Sequence, residues 1–182
     1  MRTQHQQHGF TLIETLIALS IVGILISLAS PNYSELIKNR RVEGSAKDIL
    51  HLLQYARSAA VNGKANVTVC SYVIVGKSLQ CEGSAKWNNQ IMAFIDRDGV
   101  AAICNDCLAE GASDSLLREY SASSDSLKIT ANGFTEILFK ATGNLISGGK
   151  IQISSNAQNS KEATITLSNA GSASISTTSK SP

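Results

Sequence analysis

The sequence predicts an α+β fold, a long N-terminal helix packed on an antiparallel β-sheet. Two patterns carry that expectation. Apolar residues of the first third form one long run and then recur at helical spacing, while those of the remainder fall in short β-branched stretches between turn residues. At 182 residues the chain has room for one ordinary domain plus an appendage. Hydrophobic residues make up 43% and charged residues 16%, which excludes a charge-rich disordered chain. A formal net charge of +2 does not announce a nucleic-acid binder.

The first element is the run FTLIETLIALSIVGILISLAS, from Phe10 to Ser30, with Glu14 as its only charge and Pro31 closing it. As a helix it rises about 30 Å, the thickness of a bilayer's hydrocarbon core. Residues 1–9 form a polar leader before it, and Lys38, Arg40 and Arg41 follow. A secretory signal peptide cut after Ala29 is one reading, but the run is longer than the usual apolar region of such peptides. A plain membrane anchor is a second, and it leaves Glu14 unexplained. A carboxylate in mid-bilayer costs about 2.5–3.5 kcal/mol on insertion scales.

Past Pro31 the pattern becomes amphipathic. Val42, Ala46, Ile49, Leu50, Leu53, Ala56 and Ala60 follow one helical stripe, with Arg40, Glu43, Lys47 and Arg57 largely off it. Asn62-Gly63 supplies a stop. The helix is therefore expected from near Phe10 to about Val61, loosened between Gly23 and Pro31. Residues 10–31 form its hydrophobic part, 32–63 its amphipathic continuation, and 64–182 a β-rich head.

The strands expected in the head are Asn66–Val75, Ile91–Asp96, Leu127–Thr130, Glu136–Lys140, Lys150–Ser154, Ala163–Ser168 and Ala173–Ser176. Aromatics stop at Phe139, so the last strands make a thin Ser/Thr-rich surface element.

Four cysteines lie in the head: Cys70, Cys81, Cys104 and Cys107. The first spacing is too wide for a zinc knuckle, and no helix follows the second pair as a thioredoxin-type site requires. A head carried across a membrane sits in an oxidising compartment, where structural disulfides are the default. Four cysteines allow three connectivities; the local one, Cys70–Cys81 with Cys104–Cys107, is expected. Asp96-Arg97-Asp98-Gly99, with Asn105 and Asp106 nearby, mimics part of a calcium loop but lacks the closing glutamate, and reads as a turn. His51 reads as a packed or surface residue. No GxSxG, phosphate-binding loop or HExxH motif occurs, so no enzyme, cofactor or metal is expected.

Gly9-Phe10-Thr11-Leu12-Ile13-Glu14, followed by the apolar run, resembles the type III signal sequence of type IV prepilins and type II secretion pseudopilins. That resemblance implies cleavage between Gly9 and Phe10 by a membrane peptidase and methylation of the new amine at Phe10. It places Glu14 as the fifth residue of the mature chain, a key for subunit register in a filament. It also places Gly23 and Pro31 where the family often carries helix-breaking residues. The segments ARSAAVNGKANVTVC, Trp87 with IMAFIDRDG, ILFKATGNL and ATITLSNAGSASIS extend the resemblance to the GspH/FimT family of minor pilins and pseudopilins, and with it to a type IV pilin-like fold.

The family implies a single-pass protein of the bacterial inner membrane with its head in the periplasm, later part of an extracellular pilus. Its partners would be other pilins and minor pilins, prepilin peptidase, the inner-membrane assembly platform, and membrane lipid before assembly. A minor pilin of a type IV pilus is the expected function, with a type II secretion pseudopilin and a DNA-binding competence pilin as alternatives. The competence branch carries Gly-Arg-x-Arg in its final hairpin. The matching stretch here is Gly171-Ser172-Ala173-Ser174, with arginine at neither position, so nucleic acid is not an expected partner.

Overall fold

The protein is described by a computed structural model covering residues 10–76, 78–87, 90–97, 103–104, 114–121, 127–155 and 160–179, with the side chains of residues 28–34 and 103 outside the described set. The chain divides into two units, Met1–Ile37 and Lys38–Pro182. Helix α1 (Leu12–Gly63) contributes to both. Its helical assignment runs through Gly23 and Pro31, where loosening was expected. Proline removes one N–H from the ladder, and the turns on either side keep theirs.

In the second unit α1 is followed, among the described residues, by ten strands: β1 (Asn66–Val75), β2 (Ser78–Cys81), β3 (Gln90–Asp96), β4 (Ile103–Cys104), β5 (Ser115–Ser121), β6 (Leu127–Asn132), β7 (Glu136–Phe139), β8 (Gly149–Ser155), β9 (Lys161–Leu167) and β10 (Ala173–Ser179). They form two sheets, ordered β4-β2-β1-β3-β5 and β10-β9-β8-β6, with every pairing antiparallel. β7 leaves the second group to pair with β1, so β1 shares one edge between β7 (at Val67–Cys70) and β2 (at Tyr72–Val75). Strands β2, β4 and β5 were not anticipated. The first two are too short for a period-2 pattern, and Arg118-Glu119 interrupts the apolar pattern of β5.

One stripe of the helix organises both sheets. Val42, Ala46, Ile49, Leu52, Leu53, Ala56 and Ala60 are buried in a single core with Val67, Val69 and Ile91 of the first sheet and Ile129, Ile151 and Ile165 of the second. Leu52 takes a fully buried place that the sequence assigned to Leu50, which is only partly buried. The two leucines flank the same stripe, and sequence spacing alone does not rank them. Three alanines on the stripe let the backbone approach the strands closely.

Trp87 ties the segment before β3 to β6 and to the β6–β7 turn. Its backbone N–H donates to Ile129 O at 2.9 Å, its indole Nε1 donates to Thr135 O at 3.2 Å, and its ring meets Phe134 at 5.7 Å between centroids. A second, smaller core of Cys70, Tyr72, Leu79, Met92, Phe94 and Cys104 covers the other face of the first sheet. Burial of β1 reflects this, since both Val67/Val69 and Thr68/Cys70 are inside.

Two polar latches hold the sheets to α1. Arg57 Nε donates to Gly143 O at 3.1 Å, and its Nη2 donates to Ala170 O at 2.9 Å, so one guanidinium binds two turns at once. Gly143 and Gly171, in those turns, have φ of 80° and 76°, a region that disfavours side chains. A Cβ on Gly171 would run into the Gly143 carbonyl oxygen. At the other end of the stripe, Lys161 N donates to Asn39 Oδ1 and Lys161 Nζ to Glu43 Oε1, both at 2.8 Å. Asn39 and Glu43 are one turn apart, so they face the same point.

Gly171→Ala is expected to lower the stability of the head by about 2 kcal/mol or more, from positive φ plus the contact with Gly143, as read by chemical denaturation. The Lys161 latch is expected to be acid-sensitive. The hydrogen bond from Lys161 holds the Glu43 carboxyl below its ordinary value, opposed by burial and helped by the charges of Lys161, Arg40 and Lys47. A depressed folded pKa gives stability that is present above the unfolded value, about 4.3, and lost as pH falls through the folded value. The melting-temperature gap between wild type and Lys161→Met is therefore expected to be full at neutral pH and to shrink as the pH falls past that unfolded value through the depressed folded one; a gap constant down to acid would refute the latch.

Candidate assembly site

The candidate site of the N-terminal unit lies on α1. Thr11 opens the helix, with Glu14 N–H donating to Thr11 O at 3.1 Å and lying 3.3 Å from its Oγ1. This is an N-cap, and it sets Glu14 in the first turn, where helix-dipole polarity favours a carboxylate. The hydroxyls of Thr15, Ser20 and Ser27 donate back to the carbonyls of Leu12, Leu16 and Ile24 at 2.7–2.8 Å. Those polar groups need no outside acceptor, as a helix in apolar surroundings requires.

Around these groups the surface is apolar on every side. Phe10 is 81% exposed, and Ile13, Ile17, Leu19, Ile24 and Ile26 are each more than half exposed. A helix hydrophobic all round is stable only when something covers it. Among the described residues ion pairs join Glu43 to Arg40 and Lys161, and Glu14 belongs to none. Among the described residues, too, no helix is long and apolar enough to cross a membrane, and the described side chains of this run end at Ser27.

Other residues singled out from sequence fall as follows. Gly9 lies outside the described residues, as does the side chain of Pro31. Gly23 sits in the helix with nothing within 4 Å of its Cβ position. Cys70 and Cys81 are bonded to each other, with Cα atoms 5.6 Å apart, behind the β1–β2 pairing. Cys104 is disulfide-bonded, and Cys107, its expected partner, lies outside the described residues. Beside that disulfide the Tyr72 hydroxyl donates to Glu119 Oε1 at 3.0 Å. Burial, aided by this carboxylate, pushes the phenol up to about 12. That bond therefore holds through the physiological range.

Of the calcium-like stretch, Asp96 ends β3 and is buried, while Asp98, Gly99, Asn105 and Asp106 lie outside the described residues. Among the described residues no three His, Cys, Asp or Glu side chains gather as a metal site. His51 is exposed on α1, beside a 140 Å³ recess that it shares with Asp48 and Arg118.

Gly171 to Ser174 forms the β9–β10 turn and the start of β10. The turn is closed by Gly171 N–H donating to Ser168 O and by a Ser168–Ser172 hydroxyl contact of 2.8 Å. It borders a 450 Å³ cavity against α1, lined by Leu53, Gln54, Arg57, Ser58 and Val61. Arg57 was passed over in the sequence because it lies off the apolar stripe. Its place between Leu53 and Ala60 was the available signal, since a charge flanking a buried stripe has backbone carbonyls within reach. Lys161 gave no local signal, because its partners lie 118 and 122 residues away.

Comparison with known proteins accounts for both units. Residues 4–30 match the prokaryotic N-terminal methylation motif. Residues 45–171 match the family described as type II transport protein GspH. Two fimbrial proteins of Pseudomonas aeruginosa are each 32% identical over 103 residues, covering 53% of this chain and 66% of theirs, just short of two thirds. The crystal structures of the type IV minor pilin FimU from Pseudomonas aeruginosa superpose with TM-scores of 0.56 and 0.53 at 18% identity. They cover 75% and 74% of this chain, and 89% and 91% of FimU. The apolar capped helix, the sheets packed on its amphipathic half and the match over residues 45–171 place this chain in the type IV pilin-like GspH/FimT family.

Proposed function

We propose that this chain is a minor pilin of a type IV pilus, a structural subunit held in the bacterial inner membrane and then drawn into the fibre. The observation that carries the reading is the all-round apolar surface from Phe10 to Ile26 interrupted by one carboxylate, Glu14. Cleavage between Gly9 and Phe10 by prepilin peptidase would leave a cationic amine at Phe10, which methylation keeps basic. In a low-dielectric layer an unpaired carboxylate is costly, and the amine of a neighbouring subunit relieves it. Glu14 thus sets the axial register of stacked helices, and the head presents its surfaces to other pilins. In this role the subunit connects a tip or initiation complex to the major pilins and supports pilus biogenesis, with twitching or adhesion following from that.

A second reading, the minor pseudopilin of a type II secretion system, is favoured by the description of the matching family as a type II transport protein. It uses the same helix and the same key residue, so the two differ in partners and not in chemistry. A DNA-uptake role is less supported. The Gly171–Ser174 turn carries no arginine, and Arg57, the arginine bordering it, is engaged with two carbonyls of its own head.

Gly9→Val is expected to leave the chain as the longer, membrane-retained precursor; a mature N-terminus at Phe10 in that variant would contradict the processing step. Glu14→Ala is expected to fold its head with unchanged melting temperature while its recovery in sheared filaments falls roughly tenfold. Filaments that take up the alanine variant as readily as wild type would dismiss the register role.

A further inference from the structure

Among the described residues the ten strands leave five sheet edges, and four of these are blunted. β4 is two residues long. β7 has four residues, and its last, Phe139, bridges to Leu145. β5 carries Arg118 and Glu119 and pairs through a register shift at Ala93/Phe94. β6 is covered on its outer side, because Trp87 N–H donates to Ile129 O, Ala131 N–H donates to Ala85 O, and Lys86 bridges Thr130. Shortness, charge, bulges and covering segments are the devices by which native sheets avoid pairing with other chains.

Among the described residues β10 has none of them. All seven residues from Ala173 to Ser179 pair with β9 in unbroken register, and none is charged or proline. Lys180 and Pro182 come only after the strand. Five of the seven side chains are exposed, while Ala173 and Ile175 are half-buried at the rim of the main core. The edge is about 20 Å of regular ladder whose outward N–H and C=O groups face away from β9. We infer that β10 is a docking edge that accepts an extended, uncharged segment of a different filament subunit by strand addition.

The occupant follows from two constraints. A second copy of this chain offers no matching edge, because its other four are blunted. Antiparallel pairing of β10 with its own copy would relate the two by a twofold axis normal to the sheet and reverse the helix lying on that sheet. Subunits anchored in the same direction, as the proposed function requires, do not pair that way. A different subunit supplying a strand meets both constraints. Its chemistry is set by the rows it joins: apolar opposite Ala173 and Ile175, and hydroxyl or β-branched opposite Ser174, Ser176 and Thr178. This rests on the filament-subunit reading and adds the surface by which the head binds.

The test uses the full chain in cells that assemble the filament, with a benzophenone amino acid at Thr178 or, as control, at Ser121 on the blunted β5 edge. The expected result is a Thr178 adduct with another subunit of the pilin class, identified by mass spectrometry, and none at Ser121. Joint substitution Ser174→Lys and Thr178→Lys is expected to cut recovery in sheared filaments roughly tenfold, with processing at Phe10 and the melting temperature unchanged. No subunit adduct at Thr178 in assembled filaments, an adduct with the chain itself, or wild-type recovery of the double-lysine variant overturns the inference and leaves the minor-pilin reading standing. A wild-type chain absent from filaments altogether overturns both.

Discussion

Burial of one helical stripe, Val42 to Ala60, is the constraint on which the head depends. Its large members, Val42, Ile49, Leu52 and Leu53, each contribute about 1.5–3 kcal/mol when removed from water. What gives the stripe its reach is that it serves two sheets at once. β1 and β3 meet it from one sheet, β6, β8 and β9 from the other, and β7 crosses between them. Neither sheet has an aromatic-rich interior of its own, and the second contains no aromatic residue. The polar latches at Lys161 and Arg57 lie towards opposite ends of this stripe, fixing the rotation of a helix that apolar contacts alone would hold less specifically.

The two units solve opposite problems. In the head, apolar surface is largely consumed internally, and a disulfide stiffens the face of the first sheet that the helix does not cover. Along the N-terminal unit the large apolar side chains from Phe10 to Ile26 are exposed, yet the hydroxyls of Thr15, Ser20 and Ser27 bond back to the helix's own carbonyls. Such a segment is indifferent to whether lipid tails or sibling helices surround it, because both offer apolar contact and neither need supply a hydrogen bond. Glu14 is the exception to that indifference. A carboxylate finds no partner among lipid tails, so burying it in apolar surroundings is costly unless a cation is supplied.

Most of this was legible in the sequence because it rests on local periodicity. The extent of α1, its buried stripe, and the strands from Asn66 and from Lys150 onward follow from spacings of 3.6 and 2. The division into two sheets was not legible. It depends on β7 pairing with β1 some seventy residues earlier, and nothing within Glu136–Phe139 encodes that choice. β5 escaped because an edge strand with three of its seven residues turned to solvent lacks the apolar run that marks inner strands. The site residues divide the same way. Phe10 and Glu14 stand out as a local motif, whereas Arg57 acts through carbonyls 86 and 113 residues distant, and its place beside the buried stripe does not say which carbonyls those are.

Arg57 also bears on what the final hairpin does. Phosphate capture needs cationic groups whose donors are available to the ligand and clustered enough to displace several counterions together. At the β9–β10 turn the local cation is a guanidinium that already donates to Gly143 and Ala170, and the turn itself offers hydroxyls and a glycine packed against a neighbouring backbone. Freeing the guanidinium for a phosphate would release both turns from the helix, so ligand binding would have to offset a loss of fold stability. A turn held this way is suited to keeping β10 fixed in space. A rigid, neutral strand at the margin of the head is what lateral contact with another protein chain requires, and it is poorly matched to a polyanion.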